Sequence, residues 1–248
     1  MFSPYDPYLR GSPETHYSPP SLEHPFGTDD VGKDMMSLVI HGARTSLLIG
    51  SIAALLAVGL GTLVGLISGF YGGLKGELLM RVTDVFLILP TVPLMIVLAA
   101  VLKPSIWNVA LAIGLTAWTQ VARIVRSQTL SVKERAYVHR ARTIGCTYGR
   151  IIRRYILPQV LPLVLAQLIL SIDIAIAAEA FLSFLGLGDL SQISWGSILF
   201  FAFSFGAFTL GAYWYFLPPG ILIVVAILAF TAVSQGLDEI INPRLRSV

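Results

Sequence analysis

The sequence predicts an all-α integral membrane protein, and both its composition and its residue pattern support this. Of its 248 residues, 55% are hydrophobic and 12% are charged, with a mean hydropathy of +0.77, whereas about a quarter of the residues of a soluble domain are charged. Five stretches reach the length of about 20 apolar residues that a membrane-spanning helix needs. These stretches lack the apolar-polar alternation of barrel strands, so we expect helices.

The five predicted spans lie at 46–70, 78–102, 106–125, 163–185 and 217–233. Residues 1–45 form a polar arm ahead of them, and residues 46–248 form the transmembrane domain. Pro90 and Pro93 in the second span lack a backbone donor, so we expect a bend there. A stripe of small residues at steps of four begins in the first span and consists of Gly61, Gly65, Gly69 and Gly73. Small residues at this spacing let a second helix backbone approach closely.

Cations are concentrated between the third and fourth spans. Residues 123–158 hold nine of the 17 Lys and Arg residues, and short loops rich in these residues stay on the cytoplasmic side. The loop 126–157 is therefore predicted to be cytoplasmic. The tail 242–248, with Arg244 and Arg246, then falls inside, and the arm 1–45 falls outside. The isoelectric point near 9.1 reflects this topology and not a nucleic-acid partner.

Two features argue against chemistry carried by this chain itself. The arm sequence GTDDVGKD at 27–34 has the spacing of a phosphate-binding loop, but Asp34 stands where Ser or Thr would meet magnesium. Asp29 and Asp30 would also repel a triphosphate. Cys146 is the single cysteine, which excludes an intrachain disulfide and a cysteine metal cage. We expect no bound cofactor and no metal site.

Three carboxylates near or within the spans are candidates for a substrate path. Asp173 and Glu179 lie in the fourth span and Asp84 lies near the start of the second; an ionisable group at membrane depth usually faces a cavity. Six residues on a helix turn by about 120°, so Asp173 and Glu179 cannot form a carboxylate dyad. Each could line the path or make a buried structural hydrogen bond. No histidine lies inside a span, and no catalytic residue is predicted.

Several motifs in a fixed order carry a family resemblance. They are HPFGTDDVGKD at 24–34, YVHRARTIGCTYGRIIRRYILP at 137–158, AEAFLSFLGLG at 178–188, SWG at 194–196 and INPRLR at 241–246. Together they resemble the peptide/nickel branch of ABC-importer permeases, and more narrowly the second permease subunit of dipeptide and oligopeptide transporters. The resemblance implies the type I ABC-importer permease fold.

The same resemblance gives the cytoplasmic loop a role, because the family docks this loop into a cleft of a separate ATPase subunit. The family pattern is Glu-Ala-Ala, three residues, Gly, nine residues, Ile, one residue and Leu-Pro. It falls here on His139, Arg140, Ala141, Gly145, Tyr155, Leu157 and Pro158, of which His139, Arg140 and Tyr155 depart from it.

The residues of the loop point the same way without deciding the partner. Gly145 can close one helix and Thr147 can cap the next. Apolar residues at helical spacing then alternate with arginines. This amphipathic helix could face a protein partner or the core of the chain, or it could lie on anionic lipid.

The resemblance also implies partners and a substrate. The partners would be a homologous second permease, two ABC ATPase subunits that use ATP and magnesium, and an extracytoplasmic substrate-binding protein at the cell membrane. The expected substrate is a short peptide, with nickel chelates or oligosaccharides as alternatives. An ion-coupled secondary transporter with Asp173 or Glu179 as its ion site, and a membrane-bound enzyme, remain as alternatives of other classes.

Two expectations concern the outer side. The segment 186–216 is rich in aromatic residues, which suits either the outer membrane interface or docking of the substrate-binding protein. Family members place one further span ahead of the arm, making six. We therefore expect that a first span is missing from this five-span sequence, because of an upstream start or a truncated chain. The alternative is that the first span has been lost and the short polar arm crosses the membrane unaided.

Overall fold

The structure is a computed structural model that describes residues 4–241, apart from the side chains at 13 and 237–241. The predicted cytoplasmic tail, with Arg244 and Arg246, lies outside the described residues. In chain order the helices are α1 (Met35–Tyr71), α2 (Gly73–Ile88), α3 (Thr91–Val101), α4 (Ile106–Lys133), α5 (Ala136–Thr143), α6 (Tyr148–Phe184), α7 (Trp195–Ser204) and α8 (Tyr213–Ile241). The predicted all-α fold is confirmed.

Four of the helices, α1, α4, α6 and α8, are long and apolar enough to cross a membrane. Helices α2 and α3 pass the same test together, as one span bent by 91°. Pro90 follows the end of α2 and cannot donate to the carbonyl four residues earlier, and Leu89 before it is extended, with φ −69° and ψ 131°. Within the described residues the count is four or five spans, which agrees with the five predicted.

Helix α1 begins earlier than predicted, at Met35 instead of residue 46. Asp34 stops the arm and caps the helix, since its Oδ2 accepts from the Ser37 N–H at 2.8 Å, and its Oδ1 lies 3.0 Å from His24 Nδ1. Residues 35–45 are too polar to register as a span but continue the helix. At 37 residues α1 is about 56 Å long, well beyond the roughly 30 Å of a hydrocarbon core.

The connection between α1 and α2 is a tight reversal. Gly72 and Gly73 both have positive φ, 59° and 50°, a conformation that glycine adopts without steric cost. Gly73 therefore opens α2, and the prediction that it continues the small-residue stripe of α1 is wrong. A Cβ at Gly73 would meet nothing within 4 Å, so no helix among the described residues packs there.

The chain divides into two compact units. The second unit contains Ala53–Met95, Leu111–Ile172 and the chain from Phe230 on. In it, α1 packs closely on α4. A Cβ added at Gly61 would lie 2.6 Å from the carbonyl oxygen of Trp118, and one at Gly65 would lie 2.7 Å from that of Ala122. At Gly69 the nearest atom would be Cβ of Thr129, at 2.8 Å. The stripe thus lets two backbones of the same chain touch.

The first unit contains the chain up to Ile52, Ile96–Ala110 and Asp173–Ala229. Its short helix α7 is fixed to α1 through Trp195, whose backbone N–H donates to Ser46 Oγ at 3.1 Å and whose indole N–H donates to the Val39 carbonyl at 3.0 Å. Ser194 and Ser197 close a capping box at the start of α7. The arm and the beginning of α8 also belong to this unit.

Candidate coupling surface and membrane carboxylates

Helix α5 ends at Thr143, and Gly145 follows it as the C′ residue that closes the helix, as the sequence predicts. Gly145 has φ +79° and donates to the Arg142 carbonyl, while Cys146 donates to the Ala141 carbonyl, both at 3.0 Å. These two bonds form a Schellman motif, which satisfies the last carbonyls of the helix and requires a residue that tolerates positive φ. The stop leaves Ile144 at the outer tip of the segment.

The two faces of α5 differ sharply. Val138 and Ala141 are buried in the core of the second unit, with Ala141 only 3% exposed. His139 and Arg140 point outward, and Ile144 is 76% exposed. Ala141 therefore packs α5 against the core of its own chain and is not a surface residue. Its small side chain allows this close packing. The outward residues are the ones available to a partner.

The start of α6 is built the same way, with Thr147 in the capping position before it. Ile151 and Ile156 are fully buried in the core of the second unit, while Arg150, Arg153 and Arg154 are exposed. The sequence predicts that the apolar face at the start of α6 faces either a partner or the core of the chain. Most of this face packs into the core.

A wide turn interrupts α6 at Ile152–Ile156, directly before Leu157. The Leu157 N–H bonds to the Ile152 carbonyl, five residues earlier, which makes this turn a π-helix. Pro158 follows and has no N–H to offer the carbonyl of Arg154. Within this region Tyr155 and Leu157 are half-buried against the core and Pro158 is exposed.

Aromatic rings at the end of α1 contact both α5 and the start of α6. The ring of Tyr148 meets Phe70 edge-on at 5.6 Å and Tyr71 at 6.1 Å. The guanidinium of Arg142 lies over the Phe70 ring at 5.4 Å, which is a cation–π geometry. The first span thus contacts the segment directly through its last two residues.

His139, which replaces the family glutamate, contacts an acid of its own chain. Its Nε2 lies 3.3 Å from Glu134 Oε2, and both side chains are mostly exposed. Such a pair adds little stability in water. Its geometric effect is to bring a carboxylate of the α4–α5 turn beside the first residues of α5.

The three candidate carboxylates are in different surroundings. Asp84 of α2 accepts from Arg123 of α4 at 2.6 Å, and both side chains are partly exposed. Asp173 is nearly buried, and its Oδ1 accepts from the Ile174 N–H at 2.6 Å. Asp84 therefore reaches a surface of the chain, whereas Asp173 is buried.

Glu179 is completely buried, so it lines no path in this conformation. Its Oε1 accepts from the Ser183 hydroxyl at 2.8 Å, and the side chains of Ser46 and Ser194 lie close to the carboxyl group. Glu179 thus lies where α6, α1 and the start of α7 meet in the first unit. The interpretation of Glu179 as a structural hydrogen-bonding group fits this position, and a substrate contact does not.

Sequence reasoning missed Phe70, Tyr71 and Glu134. The Phe70-Tyr71 pair at the end of a span carries the signature of interfacial aromatics, but no local spacing shows that it meets Tyr148, far along the chain. Glu134 precedes α5 and lies in the turn after α4, so helical spacing could not pair it with His139.

Residues 61–247 match the profile of the family described as "Binding-protein-dependent transport system inner membrane component". The chain belongs to this family. It is therefore a multi-pass protein of the inner membrane and a non-catalytic membrane subunit of a transport system. The resemblance carried by the motifs is confirmed.

Curated relatives and solved structures agree with this. The chain is 36% identical to the oligopeptide transport system permease protein OppC of Bacillus subtilis over 247 residues, covering 99% of this chain and 80% of the relative. It is 39% identical to a putative peptide transport system permease protein of Brucella suis over 231 residues, covering 93% and 77%. The inward-facing MetNI methionine ABC transporter matches with a TM-score of 0.62 at 16% identity, covering 82% of this chain and 97% of that one. This match confirms the ABC-importer permease fold.

Proposed function

We propose that this chain is one permease subunit of an ATP-driven importer of short peptides. The observation that carries the proposal is the 36% identity with an oligopeptide permease over 99% of the chain, a stretch that includes the whole coupling region. In this proposal the chain pairs with a homologous permease. Two separate ATPase subunits bind and hydrolyse ATP with magnesium, and an extracytoplasmic binding protein delivers the peptide.

The contact with an ATPase subunit is made by the coupling surface, defined here as His139, Arg140, Ile144 and Tyr148. All four are exposed, and Ile144 and Tyr148 expose apolar surface that a partner would cover favourably. Arg150, Arg153 and Arg154 lie nearby on the exposed side of α6 and would complement an acidic partner. Ala141, Gly145 and Leu157 act indirectly, by seating and ending the helices that carry this surface.

Positive residues also support the orientation proposed for this chain. The coupling loop and the C-terminus lie in the cytoplasm, where loops rich in Lys and Arg remain, and the arm lies outside. Since both helices that carry the coupling surface pack on the last residues of α1, a push on this surface is transmitted to the first span of the chain.

Replacing Ile144 by Asp tests the proposal without disturbing the fold, because Ile144 contacts solvent. The complete transporter, with both permeases and ATPase subunits, is reconstituted in lipid vesicles, and ATP hydrolysis and peptide uptake are measured. We expect loss of uptake and of substrate-stimulated hydrolysis, since a charge on an apolar contact must be desolvated on docking.

The control is Leu22→Asp, which places the same charge at a fully exposed leucine of the arm and should leave both activities unchanged. Equal activity of Ile144→Asp and the control would reject the coupling surface. Uptake that continues without ATP, driven by an ion gradient, would instead support the ion-coupled alternative.

Asp173 is the carboxylate that we propose for the substrate path, with Asp84 as a second candidate. Asp173→Asn keeps the hydrogen-bonding capacity and removes the charge. If Asp173 faces the path, uptake of cationic peptides should fall more than uptake of neutral ones. An equal loss for both would assign Asp173 a structural role.

A further inference from the structure

An apolar cavity of about 480 Å³ lies in the first unit, between the arm and the beginning of α8. Pro20, Pro25 and Phe26 of the arm form one wall, and Trp214, Leu217 and Ile221 of α8 form the other. No lining residue is charged. Its size falls within the range of small-ligand sites, about 300–1,000 Å³, and neither the coupling surface nor the carboxylates use it.

Specific contacts hold the two walls together. The indole N–H of Trp214 donates to the Thr28 carbonyl at 3.2 Å, and the Tyr215 hydroxyl donates to Asp30 Oδ1 at 2.6 Å. Gly27 leaves no room for a side chain, because a Cβ there would lie 2.5 Å from Cδ1 of Trp214. The cavity is therefore a preformed feature of the docked arm.

The position of the cavity points to the membrane as the source of its ligand. Its α8 wall consists of the first turns of a helix long and apolar enough to span a membrane, and this wall begins with Tyr213 and Trp214, residue types that are enriched at membrane interfaces. Further along α8, Val224, Val225 and Leu228 are at least half exposed. The sequence has no Asp, Glu, Lys or Arg from 190 to 237, so the α8 wall of the cavity continues into an uncharged helix surface.

We propose that this cavity binds a fatty acyl chain of a phospholipid, taken from the membrane leaflet on the arm's side. An apolar lining offers no partner for the charged ends of a peptide, whose burial without pairing is costly. An acyl chain is apolar, abundant at this depth and needs no such partner. Binding there would fill the space under the docked arm.

Tryptophan fluorescence of the assembled transporter in lipid nanodiscs tests this. Phospholipid brominated along its acyl chains quenches a tryptophan that it touches, and the contribution of Trp214 is obtained as the difference from a Trp214→Phe variant. We expect the Trp214 signal to be quenched by acyl-brominated lipid. An unquenched Trp214 in the assembled transporter would overturn the proposal, and it would show that another subunit covers the cavity.

A pair of variants separates the cavity from the surrounding bilayer. Ile221→Phe adds a ring to the lining and narrows the cavity, whereas Val224→Phe adds the same ring at a similarly exposed position of α8 outside the lining. The phospholipid that remains bound after detergent washing is counted by native mass spectrometry. For Ile221→Phe the affinity for phospholipid should fall about tenfold, the loss expected from displacing roughly two methylene groups of the acyl chain. Val224→Phe should retain lipid normally.

Equal retention and equal quenching in both variants would contradict the proposal, because Trp214 would then report bulk lipid. Leu222→Phe, which also projects a ring into the lining, serves as a second filling variant if Ile221→Phe does not assemble. It is held to the same outcomes.

Discussion

The coupling region and the arm use charged residues in opposite ways. In the coupling region the arginines of α6 are exposed while apolar residues fill the core. In the arm two carboxylates point inward: Asp29 is 5% exposed and accepts from the N–H groups of Val31 and Lys33, and Asp34 caps α1. Outward charge is available to a partner, whereas inward charge is used to fix a turn.

This difference explains why two motifs of the chain have different meanings. The GTDDVGKD sequence of the arm has the spacing of a phosphate-binding loop, yet its carboxylates are used by its own backbone. The family pattern in the loop leaves its charged positions free to face outward. A motif therefore indicates a binding function only where its polar atoms are not already hydrogen-bonded within the chain.

The largest effect is expected from Ala141→Glu, which tests whether α5 is seated by the core. A carboxylate placed against Val138 and the rest of the core would be buried without a partner, which costs several kcal/mol. We expect α5 to lose its packing, seen as rapid proteolysis of the loop and loss of coupled uptake. Arg140→Ala, at the exposed neighbouring position, should leave protease resistance intact. Normal resistance in Ala141→Glu would show that Ala141 faces outward.

A pH titration tests the buried carboxylate of the arm. Burial raises the pKa of Asp29 from 3.8 to about 6, against the lowering effect of the Lys33 and Val31 backbone hydrogen bonds. The pKa of Asp29 is higher in the folded arm than in the unfolded arm. The stability of the folded arm is therefore greatest below about pH 4, and it falls by up to about 3 kcal/mol as the pH rises through about 6. Protease protection of the arm should follow this curve.

The matched variant is Asp29→Asn, which keeps the shape of the side chain and cannot titrate. Its arm protection should be nearly constant between pH 4 and pH 7. A wild-type profile as flat as that of Asp29→Asn would refute the effect of burial on this carboxyl group.

Two glycines with similar backbone angles allow a direct comparison of the regions. Gly27 has φ +68° and Gly145 has φ +79°, so alanine at either position costs about 1 kcal/mol in backbone strain. Only at Gly27 would the new Cβ also strike Trp214; at Gly145 it meets nothing within 4 Å. Thermal unfolding should therefore show a larger loss for Gly27→Ala than for Gly145→Ala. An equal loss of stability in the two variants would mean that the arm shifts to accommodate the new Cβ at no measurable cost.

The smallest effect is expected at the Asp84–Arg123 pair. Its 2.6 Å separation suggests a strong contact, but both groups are partly exposed, so solvent screening limits the pair to below about 1 kcal/mol. A double-mutant cycle with Asp84→Asn and Arg123→Gln measures the coupling energy. A value of several kcal/mol would show that another subunit or the membrane shields the pair.

Much of the coupling region could be predicted from the sequence because its signals are local. Gly145 as a helix stop and Thr147 as the residue before the next helix follow from backbone chemistry within a few residues. The break in the second span follows from Pro90 in the same way. The start of α1 was placed too late because hydropathy detects the membrane, not the helix that continues beyond it.

The sequence by itself determined the fold class, the spans and the segment where cations gather, since composition and helical periodicity act over one or two turns. Only the tertiary structure decided that Ala141 and Glu179 are buried, that Gly73 leaves the packing stripe and that Phe70 and Tyr148 meet. These facts depend on which helices become neighbours. Which helices become neighbours depends on packing between residues far apart in the chain, and a local residue pattern contains no information about that packing.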